Sequence, residues 1–183
     1  DMTGMQASGL FNVSKGRADG LQVASLFNRS QGFTRSQVAG LYNWAGDVKG
    51  GQVSSLLNIA RDVDGFQVGL VNIADTVNGV SVGLLNIIKN GYNRFELSAN
   101  DALFANAALK LGGYAFYNVF RAGLRWDKQP ASSVSISLAG GSAGTTAYTW
   151  GLGYGMGTTK RLSPQLMMNV EAVCMHINER EPW

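Results

Sequence analysis

The sequence has little of what most enzymes and disulfide-stabilised proteins depend on. It contains one cysteine, Cys174, so no internal disulfide can form, and one histidine, His176. Only 15% of its residues are charged, where an average soluble domain has about a quarter. No apolar run reaches the roughly 18 residues of a transmembrane helix, which excludes that kind of membrane span.

Glycine is abundant where proline is scarce: there are 24 glycines and 3 prolines, and 45% of the residues are hydrophobic. This composition is typical of many short strands joined by tight turns and unlike that of a disordered chain. The net charge of +3 is mild and the basic residues are dispersed, so we expect no nucleic-acid partner. The chain begins at Asp1 without a signal peptide, which predicts a processed chain or a fragment of a longer one.

A tandem repeat occupies the first half of the chain. An asparagine recurs at intervals of 16, 15, 15, 14 and 14 residues, preceded each time by Leu and a second apolar residue. A Gln-Val pair lies upstream in most copies, as at Gln52-Val53. The asparagines are Asn12, Asn28, Asn43, Asn58, Asn72 and Asn86. Units too short to bury a core of their own must stack on their neighbours, so the repeat predicts a stacked array.

The length of the unit favours a β-solenoid. About fourteen residues suit two short strands and two turns, which together make one coil. Coils would stack about 4.8 Å apart, so about six coils give a rod on the order of 25 Å long. We therefore predict an all-β protein whose residues 1–91 form a β-solenoid domain.

The change in period predicts a local irregularity. The longer copies have one more residue between Val and Leu than the segment Val68-Gly69-Leu70 has. If Val and Leu both face the interior, the additional residue must bulge. We expect bulges near Ala24-Ser25, Ala39-Gly40 and Ser54-Ser55, and none in the last two coils.

Two interpretations apply to the asparagine column. In a structural ladder, each side-chain amide bonds the next coil at a turn. In a functional row, the amides would bind a ligand. We favour the ladder because the positions that flank each asparagine are apolar.

The second half of the chain, residues 92–183, has longer segments in which apolar residues alternate with polar residues or glycine. Six such runs lie near residues 95–100, 105–112, 116–126, 133–138, 150–157 and 166–173. They predict an antiparallel up-and-down β-meander of outer-membrane-barrel type. If it is part of a barrel, we expect that the sequence ends before the strands that would complete that barrel. Lys110, Arg121, Arg125 and Glu171 fall on the polar face. There they would face a lumen and pair with one another or, as a less favoured alternative, line an anion-selective pore.

The membrane interpretation of this second half competes with a soluble one. Several runs are long enough to cross a bilayer as tilted strands. Aromatic residues that suggest a girdle at the membrane interface are Tyr114, Phe116, Trp126, Trp150 and Tyr154. A soluble sandwich, or a sheet packed on the end of the solenoid, would show the same alternation. Six strands do not close a barrel, so closure would need further strands or an oligomer.

Particular segments resemble a known family. The units GLQVASLFN, GFQVGLVNIADTVNG and VSVGLLNII, followed by NGYNRFELSANDALFANAALKLG, resemble the surface repeat-containing proteins common in the Bacteroidota. The resemblance covers most of the chain and implies GLQxGLxNxA coils followed by a barrel-like C-terminal region, and the family carries no established catalytic activity. The first copies depart from the family pattern, because Arg29, Trp44 and Gly46 stand where Ile and Ala are usual.

The few reactive residues form weak catalytic and metal-binding patterns. Cys174 and His176 share a strand face, but no third group completes a catalytic triad and the pair is too small for a zinc site. Asp62 and Asp64 lack the remaining ligands of a calcium loop, and the glycines from Gly151 onward lack the helix that a phosphate loop needs. We therefore predict no catalytic, metal or cofactor site.

Three functional hypotheses follow. The favoured one is a non-catalytic outer-membrane or cell-surface protein of a diderm bacterium, with membrane lipid as a partner and a solenoid face that binds protein or glycan. The second is a soluble secreted or periplasmic adhesin-like module whose second half caps the solenoid, which Trp126 and Trp150 packed inside would favour. The third is a hydrolase with a degenerate site at Cys174.

Overall fold

The computed structural model describes residues 1–128 and 146–178, and its strands form two sheets. The described residues contain no helix, so the prediction of an all-β protein is confirmed. The strands are β1 (Met2–Ser8), β2 (Phe11–Ser14), β3 (Ala18–Ala24), β4 (Phe27–Ser30), β5 (Phe33–Ala39), β6 (Tyr42–Trp44), β7 (Asp47–Ser54), β8 (Leu57–Val68), β9 (Val71–Val82), β10 (Leu85–Ile88), β11 (Arg94–Ser98), β12 (Ala105–Gly112), β13 (Tyr117–Lys128), β14 (Thr146–Arg161) and β15 (Met167–Asn178).

Strands β1 to β10 wind into a parallel β-solenoid of about six coils, as the repeat predicts. Strands β1, β3, β5 and β7 stack on one side of the coils, and β2, β4 and β6 stack on the other. In the later coils a single strand, β8 or β9, continues from one side to the other. Equivalent residues of successive repeats lie in register, as Asn43 does opposite Asn58.

The asparagine column runs through the interior of the solenoid. Asn58 is wholly buried, and its Nδ2 donates to Asn72 Oδ1 at 2.9 Å and to the carbonyl oxygen of Val68 at 2.8 Å. Its own Oδ1 accepts from Asn43 Nδ2 at 3.0 Å. The same amide-to-amide bond joins Asn12 to Asn28 and every later pair of the column. Each amide therefore links two coils and also satisfies a backbone carbonyl.

A second amide column, of glutamines, faces the first from the other side of the coils. Gln22, Gln37, Gln52 and Gln67 are wholly buried. Gln52 Nε2 donates to Gln37 Oε1 at 2.9 Å, and Ser81 ends the column by donating its hydroxyl to Gln67 Oε1 at 3.0 Å. The asparagine donors point toward the C-terminal end of the rod, whereas the glutamine donors point toward its N-terminal end.

In the coils that contain residues 45–48, 60–63 and 74–77, one bend holds a small apolar core. Val48 and Val63 are each 1% exposed there and pack among Ala45, Ala60 and Ala74. Beside this core, Gly65 has a φ of +145°, and a Cβ built on it would lie 1.9 Å from the carbonyl oxygen of the equivalent glycine one coil earlier. Only glycine fits where successive coils approach this closely.

The expectation that the repeat's Val and Leu face inward is wrong. Val68, Leu70 and the equivalent residues point outward, because the adjacent glutamine and asparagine take the inward positions of the alternating strands. The predicted bulges are also absent from Ala24, Ala39 and Ser54, which end their strands in regular register. The additional residue lies at the bend between the two sides. The register shifts that do occur fall between Ala18 and Leu21 and between Thr34 and Ser36.

The second sheet contains β11 to β15 in sequence order, all antiparallel. The predicted alternation is seen in β12 to β15, with Ala107, Ala122 and Leu152 in register on one face. The predicted run at 133–138 lies outside the described residues. Strands β11 and β15 are the two edges of the sheet in the described part of the chain, which shows an antiparallel sheet without showing a barrel.

The second sheet continues the asparagine column of the solenoid. Asn118 of β13 is wholly buried, and its Oδ1 accepts from Asn86 Nδ2 at 2.7 Å and from the Asn86 backbone N–H at 3.0 Å. Its Nδ2 donates to the carbonyl of Gly83 at 2.9 Å and to Tyr154 Oη at 2.8 Å. On its asparagine side the last coil therefore meets a hydrogen-bonded cap, whereas residues 78–80 on the other side of that coil remain exposed.

Candidate functional surface

The leucines of the repeat form a continuous exposed ridge along one bend of the solenoid. We call this ridge the leucine corner; it consists of Leu10, Leu26, Leu41, Leu56, Leu70 and Leu84. Their exposure ranges from 39% at Leu26 to 59% at Leu10. Six leucines held outward in register form a surface that cannot be explained by packing within the coil.

Apolar columns flank the leucine corner on both sides. On the glutamine side the adjacent column is Ala7, Val23, Val38, Val53, Val68 and Val82. On the asparagine side it is Phe11, Phe27, Tyr42, Leu57, Val71 and Leu85. The aromatic rings at the N-terminal end stack face to face, with centroids 5.1 Å apart for Phe11 and Phe27 and 4.8 Å apart for Phe27 and Tyr42. We call these two columns the flanking columns.

Charged residues concentrate at the opposite bend, which we call the charged corner and which comprises residues 15–19, 31–35, 46–50, 61–65 and 75–79. Arg61 bonds Asp47 of the preceding coil with an Nη2–Oδ2 distance of 2.6 Å. Asp19 accepts hydrogen bonds from Arg17 and Arg35, which lower the pKa of its carboxyl group. The Arg35–Asp19 and Arg61–Asp47 pairs join successive coils, whereas Arg17–Asp19 lies within one coil, and each of these exposed pairs adds little to stability. Asp62 and Asp64, which resembled part of a calcium loop, are exposed here.

The backbone at the leucine corner is hydrogen-bonded from coil to coil. The N–H of Leu26 donates to the carbonyl of Leu10 at 2.9 Å, and the N–H of Leu41 donates to that of Leu26 at 2.9 Å. The carbonyl of Val38 points inward and accepts from Asn28 Nδ2 at 2.8 Å. The asparagine column thus satisfies a polar group that a turn would usually leave to water.

The second sheet also presents an apolar face to its surroundings. We call this its outer face; it includes Phe95, Leu97, Leu109, Leu124, Trp126, Trp150, Leu152 and Met156. Trp126 is 48% exposed and Trp150 is 39% exposed. A shallow apolar groove crosses this face between Leu97, Leu124 and Leu152. These tryptophans lie outside, not in a core shared with the solenoid.

The outer face and the leucine corner are parts of one surface. A second groove lies at their junction and is lined by Leu70 and Leu84 of the corner and by Phe116 and Met156 of the second half. Tyr154, on the same face, donates its hydroxyl to the carbonyl of Leu84 at 3.3 Å. Apolar side chains therefore extend from the solenoid onto the second sheet through this groove, which also contains Ser54 and Ser55.

The opposite, inner face of the second sheet carries the predicted polar residues. Lys110 is nearly buried, and its Nζ lies 2.8 Å from Glu96 Oε2 and 2.5 Å from Glu171 Oε1. The hydroxyl of Tyr117 donates to the same Glu171 oxygen at 2.8 Å. Strands β12 and β15 are three strands apart, about 14 Å on a flat sheet, so the sheet must curl over this face for the two residues to meet.

The other two predicted inner-face residues, Arg121 and Arg125, do not join this cluster of ion pairs. Arg125 pairs with Asp127 on its own strand at 2.7 Å, whereas Arg121 forms no ion pair with a carboxylate of the described residues. The glycines of β14 occupy this face, and a Cβ on Gly157 would lie 2.5 Å from the Tyr117 ring. Glycine is therefore needed at these positions because larger residues would collide with side chains of the inner face, and no phosphate loop is required to explain them.

Cys174 and His176 lie together on the outer face of β15, opposite Tyr154 and Leu152. Cys174 is exposed, and the His176 ring packs edge-on to Trp150 with centroids 6.0 Å apart. No group of three metal-binding side chains occurs in residues 1–128 and 146–178. Within those ranges no helix is long and apolar enough to cross a membrane.

Sequence reasoning missed two functional features, the glutamine column and the outward apolar columns. The glutamine column could have been predicted from the sequence, because glutamine recurs with the period of the asparagines, at Gln22, Gln37, Gln52 and Gln67. Comparison of the chain with family models, with curated proteins and with solved structures finds no match in any of the three.

Proposed function

We propose that this chain is a non-catalytic protein of a bacterial outer membrane or cell surface, with a structural or binding role. The observation that carries the proposal is the outer face of the second sheet, where Trp126, Trp150 and Leu152 are exposed together. An apolar outer face over a polar inner face is the pattern of strands that contact lipid on one side. The resemblance of the repeats to bacterial surface proteins agrees with this location.

The strands of the second sheet are long enough for such a role. Strand β14 has 16 residues and β13 and β15 have 12 each, whereas about 9–11 residues cross a bilayer at a tilt. A barrel-type closure would require further strands or other copies of the chain. Lys110 and Glu171 would then pair inside the closed sheet, where small barrels are filled by side chains.

The non-catalytic part of the proposal is supported by what the two reactive side chains contact. His176 packs on Trp150, and Cys174 is open to the surroundings on the apolar outer face. A catalytic dyad needs a polar partner that orients its base, and these positions favour packing instead. The structure thus gives the degenerate-hydrolase hypothesis no support.

One observation favours the alternative, a soluble secreted or periplasmic module whose second half caps the solenoid. Asn118 continues the asparagine column and covers the last coil. The exposed Trp126 and Trp150 argue against it, because a soluble cap would bury them. Asn118 lies opposite Met156 at one end of the outer face, whereas Trp126 and Trp150 lie at its other end, so the cap leaves the tryptophans available to lipid and does not decide between the two functions.

Vesicle flotation tests the proposal. We expect the wild-type protein to float with lipid vesicles and to need detergent for monodispersity. Leu152→Lys places a charge on the outer face at a cost of about 2–4 kcal/mol, which should weaken vesicle binding by roughly 30-fold to several hundred-fold. The matched control, Asn78→Lys, adds the same charge at the exposed charged corner. A wild-type chain that stays monomeric and unbound in detergent-free buffer would overturn the proposal.

A further inference from the structure

We infer that the solenoid itself contacts the hydrocarbon of a lipid bilayer, through the leucine corner and the flanking columns. The inference rests on the proposed function, because the same bilayer would receive the outer face of the second sheet. It assigns a lipid partner to a part of the molecule for which the repeat alone suggests a protein or glycan partner. Four features of the surface carry it.

The first feature is the segregation of charge. Across residues 1–90, neither the leucine corner nor the flanking columns contain a charged residue. Arg29 is the nearest cation, one column further along the asparagine side, and its guanidinium carbon lies 5.0 Å from the centroid of the Trp44 ring. The ion pairs formed by Arg17, Arg35 and Arg61 are at the charged corner. A rod with one apolar edge and one charged edge is suited to the boundary between hydrocarbon and water.

The second feature is the hydrogen bonding of the backbone at the apolar edge. In hydrocarbon each unsatisfied N–H or C=O costs several kcal/mol, so irregular turns are excluded from contact with lipid. Here the bends bond to one another along the rod, as Leu41 N–H does to the carbonyl of Leu26. The carbonyls of Val53 and Val68 accept from Asn43 and Asn58 inside the coil. The bend thus meets a condition for contact with lipid that ordinary loops do not meet.

The third feature distinguishes lipid from a protein partner. A protein interface typically forms about one hydrogen bond per 100–200 Å² and includes a polar rim. The leucine corner and flanking columns consist of aliphatic and aromatic side chains apart from the Tyr42 hydroxyl, and the exposed Ser25 and Ser55 add two small hydroxyls between the leucines and the valines. Such a surface provides apolar contact area for lipid chains but few hydrogen-bonding groups that could fix the position of a protein partner.

The fourth feature is continuity. Leu70 and Leu84 share a groove with Phe116 and Met156, so the corner joins the outer face of the second sheet through apolar side chains, with Ser54 and Ser55 as the polar residues of the groove. The leucine corner spans about five coil spacings, or roughly 24 Å, which is within a hydrocarbon core of about 30 Å. A bilayer that meets the outer face of the sheet would therefore reach the corner as well.

A fluorescent probe at three positions tests the inference on the full chain. An environment-sensitive nitrobenzoxadiazole probe is attached to the native Cys174 on the outer face. In a Cys174→Ser background it is attached instead to Leu56→Cys at the leucine corner or, as the matched control, to Asp62→Cys at the charged corner. All three native side chains are exposed, and circular dichroism checks that each variant is folded. The labelled proteins are mixed with phosphatidylcholine vesicles that contain doxyl-labelled acyl chains.

We expect the doxyl lipid to quench most of the emission of the Leu56 and Cys174 probes and little of that of the Asp62 probe. Quenching at Cys174 without quenching at Leu56 would overturn the inference and leave the proposed function standing. Quenching at neither position would overturn both. If Leu56 emission shifts to the blue without lipid, and sedimentation shows a dimer that vesicles do not dissociate, the occupant is a second copy and the lipid assignment is wrong.

Discussion

Replacement of Asn58 by alanine removes one member of the asparagine column from the middle of the solenoid. The amide of Asn58 takes part in three short hydrogen bonds, to Asn43, Asn72 and the carbonyl of Val68. Each buried bond contributes about 1 kcal/mol net, and a partner left unsatisfied in the interior costs a further 1–3 kcal/mol. Because Asn72 Oδ1 loses its side-chain donor, we expect a total loss of about 3–5 kcal/mol.

The matched control is Asn78→Ala, an exposed asparagine one coil further along, at the charged corner. Substitutions at such surface positions usually change stability by less than about 0.5 kcal/mol. The assay is urea unfolding followed by far-ultraviolet circular dichroism, with wild type and both variants in the same detergent. A loss of stability for Asn58→Ala as small as that for Asn78→Ala would refute the reasoning that the amide column holds the coils together.

Three further substitutions test other parts of the structure. In thermal unfolding, Gly65→Ala should destabilise the solenoid by more than about 2 kcal/mol, because Gly65 has a φ of +145° and a carbonyl oxygen would lie 1.9 Å from the new Cβ. Gly9→Ala is the control: a Cβ at Gly9 meets nothing within 4 Å, so this substitution should be nearly neutral in the same experiment. Asn118→Ala should speed hydrogen exchange in residues 83–88, and unchanged exchange there would contradict the cap. Lys110→Met should lower the free energy of unfolding in urea by about 3–5 kcal/mol, because it leaves the Glu171 carboxylate without its cation. Combining Lys110→Met with Glu171→Gln should recover part of that loss. Equal losses for the single and double variants would disprove the pairing.

The periodicity of the sequence was sufficient to predict the solenoid but not which side chains face inward. Asn58 and its equivalents recur in register, and parallel coils bring such residues together whatever their chemistry. The direction of Leu56 and Val68 was predicted wrongly because apolar residues are usually placed in the core. Here the interior is a narrow space filled by amides and small side chains, so the larger apolar residues are displaced outward.

Contacts between segments that are distant in the chain could not be predicted from the sequence. Asn118 lies 32 residues after Asn86 and outside the repeat, so its place at the end of the column depends on how the second sheet docks. The meeting of Lys110 with Glu171 depends on the curl of that sheet, which strand alternation does not specify. Alternation was sufficient to place both residues on one face, and that part of the candidate site could be predicted.

Side-chain amide hydrogen exchange tests the central claim, that amides fill the solenoid and apolar residues face outward. The measurement follows the NH₂ resonances of protein labelled with ¹⁵N at asparagine and glutamine, after transfer into D₂O. We expect the NH₂ groups of Asn43, Asn58, Gln37 and Gln52, all wholly buried, to exchange far more slowly than that of the exposed Asn78. Exchange of all five at one rate would contradict the account.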